Sequence, residues 1–192
     1  MKKWFGYGGI AASVVLIAFG IGAVVVGVGG YNTVRDEITA QQITATPDAA
    51  ELSGGVLAPG QAIRTGAQAR AFADVMEHHT LAATQGKRYA EMGRFLTPAG
   101  KDTNDEALAA KDANGQPVEN GLRNMWVTET ALTTALNTSF FAERVAYFSI
   151  VMGIALLLTG IGFLVLTLGG ALGWVALPKH SDKKLNTASA AT

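Results

Sequence analysis

VENGLRNMWVTETALTTALNTSFFAERVAYFSIVMGIALLLTGIGFLVLTLGGALGWVAL, Val118–Leu177, runs for sixty residues without a proline. Proline is the strongest helix breaker, so nothing in the stretch interrupts a helix. From Val145 onward it holds no Asp, Glu, Lys or Arg. About 20 apolar residues suffice to cross the hydrocarbon core of a bilayer. The stretch therefore reads as one long helix that starts outside a membrane, with Pro117 in its first turn, and ends inside the cell.

Working outward, a second block of the same character lies at Phe5–Gly30. Hydrophobic residues make up 49% of the 192 residues, and these two blocks hold the excess. Both exceed the length of one crossing, which predicts two spans, residues 4–31 and 145–177. Net charge is zero, but its distribution is uneven. Lys2 and Lys3 precede the first block, and Lys179, Lys183 and Lys184 follow the second. Between them, Tyr31–Arg144 carries 14 acidic and 10 basic residues. Lys and Arg stay on the cytoplasmic side, so the reading places residues 1–3 and the tail 178–192 in the cytoplasm and 32–144 outside. A cleaved signal peptide is the alternative for the first block. Its apolar run exceeds the 7–15 residues of a signal core, and no A-x-A site closes it. There are no cysteines, hence no disulfide, thiolate metal site or lipid-anchoring cysteine.

Aromatic residues bracket each block: Trp4 and Tyr31 the first, Tyr147 and Trp174 the second. Each pair is 27 residues apart. At 1.5 Å per residue that is about 40 Å, the thickness of a bilayer with its headgroups. Matching the brackets sets an antiparallel register with positions i and 178 − i level. It predicts solvent-exposed ion pairs Arg35–Glu143 and Asp36–Arg144, each contributing about 0–1 kcal/mol. Small residues recur at spacings of three and four on both helices: Gly6, Gly9, Ser13, Gly20, Ala23, Gly27 and Gly30 on the first, and Ala135, Ser139, Ala142, Ala146, Ser149, Gly153 and Gly160 on the second. Such seams let membrane helices approach closely. Because the second seam starts well before the membrane, no break is expected between Ala135 and Gly153. Other small residues, such as Gly169-x-x-x-Gly173, leave a homo-oligomer or a membrane-protein partner open.

The middle region divides by composition. The first helix continues past Tyr31, with Val34 and Ile38 on its face. Residues 44–60, with Pro47, Ser53-Gly54-Gly55 and Pro59-Gly60, read as a linker. Residues 61–96 read as a helical subdomain: Ile63, Ala69, Phe72, Met76, His79 and Ala83 share a face, and Gly86 caps its end. Residues 97–117 form a polar loop with a short helix at Asp105–Lys111. Residues 118–144 are the outer part of the long helix.

Three blocks carry a resemblance: TVRDEITAQQITATPD (Thr33–Asp48), HTLAATQGKRYAEMGRFL (His79–Leu96) and WVTETALTTALNTSFFAE (Trp126–Glu143). In these the chain resembles a family of uncharacterised two-span membrane proteins common in actinobacteria. Some members carry the automatic label "aromatic ring-opening dioxygenase". Ala82 and Gln85 stand where members often have Glu and Gly, so an acid at Ala82 is no general requirement.

The label makes a chemical demand that the residues do not meet. A non-haem iron site wants two His and a carboxylate on one face. His180 lies in the tail, and the adjacent His78 and His79 point about 100° apart on a helix. Asp74, Glu77 and His78, at i, i+3 and i+4, could share a face, but a solvated surface accounts for them. His79 reads as a packed histidine bonded to Tyr89 or Glu129, with pH sensing as its functional alternative. Asp112-Ala-Asn114-Gly115 has the start of a calcium loop without the distal Glu, and a turn explains it. Asn137-Thr138-Ser139 is a glycosylation sequon in form only. Phosphate loops, nucleophile elbows and basic-aromatic nucleic-acid patches are missing. Mid-span polar residues, which would mark an ion path, are limited to Ser13, Ser149, Thr159 and Thr167.

The reading is an all-α protein with two antiparallel transmembrane helices extended outside the membrane and a small extracytoplasmic helical subdomain. It expects a multi-pass plasma-membrane protein whose partners are the lipid bilayer and protein, not nucleic acid. Its role is structural, accessory or interactive within the cell envelope, with Trp126–Arg144 as the partner surface. It expects no enzyme activity, and neither catalytic, cofactor nor metal residues are assigned. The rival readings are a metal-binding or pH-responsive sensor or enzyme, and an oligomeric pore.

Overall fold

A computed structural model describes residues 2–170. In chain order its elements are α1 (Lys2–Ala40), α2 (Ala49–Leu52), α3 (Gly66–Ala83), the hairpin strands β1 (Phe95–Leu96) and β2 (Asp102–Thr103), and α4 (Gly121–Leu168). Single 3-10 turns occur at Tyr89–Glu91 and Glu106–Leu108. The described chain is mainly helical, as expected, with one small antiparallel hairpin that the all-α reading did not contain. Trp174, Gly173 and the tail 178–192 lie outside the described residues.

The two long helices dominate. α4 has 48 residues and α1 has 39, about 72 and 58 Å at the helical rise. α4 is continuous from Ala135 through Gly153. Its start is Gly121, not Val118. Pro117 instead pairs with Lys111 in an extended bridge, and the Val118 N–H donates to the Ala110 carbonyl. Asn120 begins the helix, its Oδ1 accepting the Leu122 N–H at 3.1 Å. That satisfies one of the orphan donors of the first turn.

The described chain forms two compact units. One joins α1 up to Val24 with α4 from Met152 onward. Here the small-residue seam packs as read. A Cβ on Gly20 would come within 2.8 Å of the Gly153 carbonyl oxygen, and one on Gly153 within 2.8 Å of the Gly20 carbonyl oxygen. Gly160 lies against Ile17, and Gly9 against Thr167. Ser13 is fully buried, and its hydroxyl donates to the Gly9 carbonyl at 2.8 Å. Backbones in such contact gain dispersion energy that a larger residue would forfeit.

The other unit is Val25–Val151. Gly27 packs on Ala146 and Ile150, and Gly30 on Ala146. These pairs, like Gly20–Gly153 and Gly9–Thr167, lie within about one turn of the expected 178 − i register. Toward the start of α4 the buried face departs from the small-residue reading. Ala135 is exposed, and the buried positions are Trp126, Glu129, Leu136, Glu143 and Ala146. The cause is a change of neighbour. Here Leu136 joins Ala69, Ala73 and Val75 of α3 in the core, Glu143 meets Gly66 at the start of α3, and Trp126 meets Lys87 beyond its end.

Residues 44–60 are not a linker. Ala45 and Ile63 bridge to Gln61 and Ile43 through backbone bonds of 2.8 and 2.9 Å. Ala49 and Leu57 are 0% and 1% exposed, and they join Ile38, Ile63, Ala69, Val75 and Leu136 in one apolar core. The Gly and Pro signals mark turns inside a packed segment: Gly54, Gly55 and Gly60 all take positive φ. On α3 the buried residues are Gly66, Ala69, Ala71, Ala73, Val75 and Thr80, with Phe72 and Met76 half-buried and Ala83 exposed. Gly86 closes the helix as expected, at φ +80 with its N–H on the Leu81 carbonyl.

The polar loop 97–117 is likewise built. Phe95 pairs with Thr103 and bridges to Glu119, and Ala109 is buried. The helix expected at Asp105–Lys111 is a single 3-10 turn, capped by Asp105 on the Ala107 N–H.

Candidate functional site

The residues flagged for chemistry do not converge. His78 and Asp74 are exposed, and Glu77 accepts from Arg88 Nη2 at 2.7 Å. His79 meets neither Tyr89 nor Glu129. Its Nε2 lies 2.7 Å from Asp48 Oδ2, half exposed. The neighbouring Thr46 side chain and the His79 ring hold the Asp48 carboxyl below its ordinary range. This contact ties the 44–60 segment to α3, a structural role. Tyr89 instead lies under the Arg123 guanidinium, 3.8 Å from the ring centroid. No group of three His, Asp or Glu side chains among the described residues is placed to hold a metal ion. Asp112–Gly115 is a turn: Asp112 Oδ1 accepts the N–H groups of Asn114 and Gln116, with Gly115 at φ +75.

Trp126 is buried at 5% exposure, with its indole N–H on the Lys87 carbonyl at 2.9 Å. It anchors the chain after α3 and presents no surface to a partner. Nearby, Asn120 donates to the Gly93 carbonyl, and the Gly93 N–H donates to Asp102 Oδ2 at 2.7 Å. That amide bond, opposed by partial burial and aided by Lys87, holds the Asp102 carboxyl below its ordinary range. A Cβ on Gly93 would collide with the Thr103 backbone, so the hairpin closes on a glycine.

The most organised polar cluster forms around Glu143. α1 supplies Arg35, α4 supplies Glu143, and the start of α3 supplies the Gly66 N–H. Arg35 Nε donates to Glu143 Oε1 at 2.7 Å, and the Gly66 N–H donates to Oε2 at 2.9 Å. The Arg35–Glu143 pair was expected, but as a solvent-exposed one. The Glu143 side chain is 10% exposed and Arg35 41%. A carboxylate at the amino end of a helix also meets the favourable end of its dipole. Gly66 is required for this approach: a Cβ there would sit 2.7 Å from Glu143 Oε2 and 2.8 Å from the Phe140 Cα. Thr65 caps the same helix, its side chain accepting from the Gln68 N–H, while Gln68 Oε1 accepts from the Arg64 N–H. The T-x-x-Q spacing is the signal that fixes the start of α3 at Gly66, later than the Gln61 at which the sequence reading began it.

The second expected pair, Asp36–Arg144, does not form. Asp36 is exposed, and Arg144 lies 5.0 Å from the Phe140 ring centroid. Its guanidinium shares a cavity of about 220 Å³ with Tyr31, Arg35, Thr65, Ala67, Glu143 and Tyr147. Arg35 and Arg144 give the lining two cations against the single carboxylate of Glu143. Comparison with protein-family models, curated proteins and solved structures finds no match to this chain.

Proposed function

We propose that this chain is an integral membrane protein of the cell envelope, with a structural, accessory or interaction role in place of catalysis. One observation carries the reading. The helices Tyr7–Ala40 and Gly121–Leu168 are long and apolar enough to cross a membrane, and only 11% of the most apolar stretch of each is buried. A helix at the core of a soluble protein would cover such surface, whereas lipid leaves it exposed at no cost. The positive-inside bias of Lys2, Lys3, Lys179, Lys183 and Lys184 supports cytoplasmic termini. Residues 32–144 then lie outside, where α2, α3 and the hairpin form the extracytoplasmic subdomain. The resemblance to the two-span actinobacterial family agrees with this architecture. Leu122, Met125, Val127 and Leu132, each at least 40% exposed on the outer part of α4, favour a protein partner there.

The absence of cysteine makes the topology directly testable. Single cysteines at Ala113 and at Ser181 would be labelled in intact cells with a membrane-impermeant maleimide. Labelling of Ala113→Cys alone is expected. Labelling of Ser181→Cys alone would reverse the orientation, and release of the protein by alkaline carbonate would remove the membrane reading altogether.

A further inference from the structure

The cavity beside Glu143 has a chemistry that structure alone does not require. Arg35 is held by Glu143, but through Nε only. Arg144 faces no carboxylate among the ion pairs of the described residues. With Glu143 neutralised by Arg35 and the Gly66 amide, the cavity keeps one uncompensated positive charge, Arg144, flanked by two phenols. Tyr147 of its lining is 57% exposed, and within one helical turn of Tyr31 and Arg144 along the same helices stand the exposed apolar residues Val28 at 43%, Val145 at 63% and Phe148 at 63%, which form its apolar rim. A soluble anion would gain nothing from that rim. An amphiphile would gain from both halves.

We infer that this cavity binds the phosphate of an anionic phospholipid headgroup, with the acyl chains lying along the apolar rim. Arginine pairs with phosphate through a planar fork of donors, and the outer edges of Arg35 and Arg144 supply two such forks. Tyr31 and Tyr147, both in the lining, are of the residue type that favours the headgroup level. A volume of about 220 Å³ accommodates a headgroup phosphate and its glycerol but no folded partner. The inference rests on the membrane reading and deepens it, since it names the lipid class that the outer junction of the two helices selects.

The test uses the full chain, purified in a neutral detergent, and follows its thermal unfolding. Short-chain phosphatidylglycerol is expected to raise Tm by about 5 °C when near saturation. Phosphatidylcholine of the same chain length, glycerol phosphate and inorganic phosphate at equal concentration should shift it far less. Arg144→Gln should abolish the phosphatidylglycerol shift, and Arg144→Lys should restore part of it. The Tm of Arg144→Gln without lipid reports whether it is folded, and Arg144→Lys serves as the second variant if it is not. Equal shifts from both lipids, or a full shift in Arg144→Gln, would overturn the site. A shift from inorganic phosphate as large as that from the lipid would reassign it to soluble anions. Protein that remains monodisperse without detergent would refute the membrane reading itself, an outcome separate from any lipid effect.

Discussion

Glu143 shows how one side chain can hold three elements together. Its two oxygens are bonded to α1 through Arg35 and to the start of α3 through Gly66. Truncation leaves the Gly66 N–H without its partner and Arg35 without its counter-charge. Glu143→Ala should therefore lower stability by about 2 kcal/mol, between the cost of an exposed pair and that of a buried one. Chemical unfolding of the detergent-solubilised protein measures it. A loss below about 0.5 kcal/mol, the level of an ordinary surface change, would mean that Glu143 is not a junction. Gly66→Ala should cost a similar amount by a different route, because its Cβ meets the Phe140 backbone, which has no rotamer to yield. At this scale the sequence was partly legible. Register alone paired Arg35 with Glu143. It did not reveal the third partner, because the Gly66 amide reaches Glu143 from 77 positions away in the chain.

Among the elements, α1 and α4 meet through glycines that differ sharply over two residues. A Cβ on Gly20 strikes backbone at 2.8 Å, while one on Gly22 meets nothing within 4 Å. Gly20→Leu should thus lower Tm strongly or prevent assembly of the helix pair, while Gly22→Leu should leave Tm within about 2 °C of the parent, as for a change on an open face. A blue-shifted tryptophan spectrum and a cooperative melt in both variants would show that the seam is dispensable. The seam was legible where the two backbones touch, at Gly9, Gly20 and Gly27 of α1 and Ala146, Gly153 and Gly160 of α4. It was misread in the outer part of α4, where Ala135 is exposed and Leu136 buried. Small residues are demanded only where two backbones approach each other, and α3 changes that demand. The 44–60 segment was misread for a related reason: Gly and Pro report local turns, not whether a turn is packed.

At the scale of the molecule, two carboxyls outside the apolar helices make stability depend on acid. Asp48 and Asp102 both have lowered pKa values in the folded protein. A group with a depressed folded pKa contributes stability above its unfolded pKa, about 3.9, and loses it as pH falls through the folded value. The contribution of these two carboxyls to the unfolding free energy should therefore be complete above about pH 5 and be lost progressively below about pH 4. Asp102→Asn should be less stable than the parent at pH 7, with the difference narrowing as pH drops toward 3. A constant difference across that range would mean that Asp102 acts through packing and not through charge.

The sequence by itself determined the architecture that solvent dictates. Two apolar runs, each long enough to cross a bilayer, and the antiparallel register between them were set by composition and spacing. Those signals are local and periodic, so composition carries them. The tertiary structure alone decided what fills the space between. It turned a Gly/Pro-rich linker into part of the core and a polar loop into a hairpin. It moved His79 from the apolar face to Asp48, and it set Arg144 beside Arg35 at a cavity that no spacing announces. Apart from the hairpin's own pairing, each of these is a contact between residues far apart in the chain. Its free energy depends on which surfaces meet, and that is fixed only when the helices have chosen their neighbours.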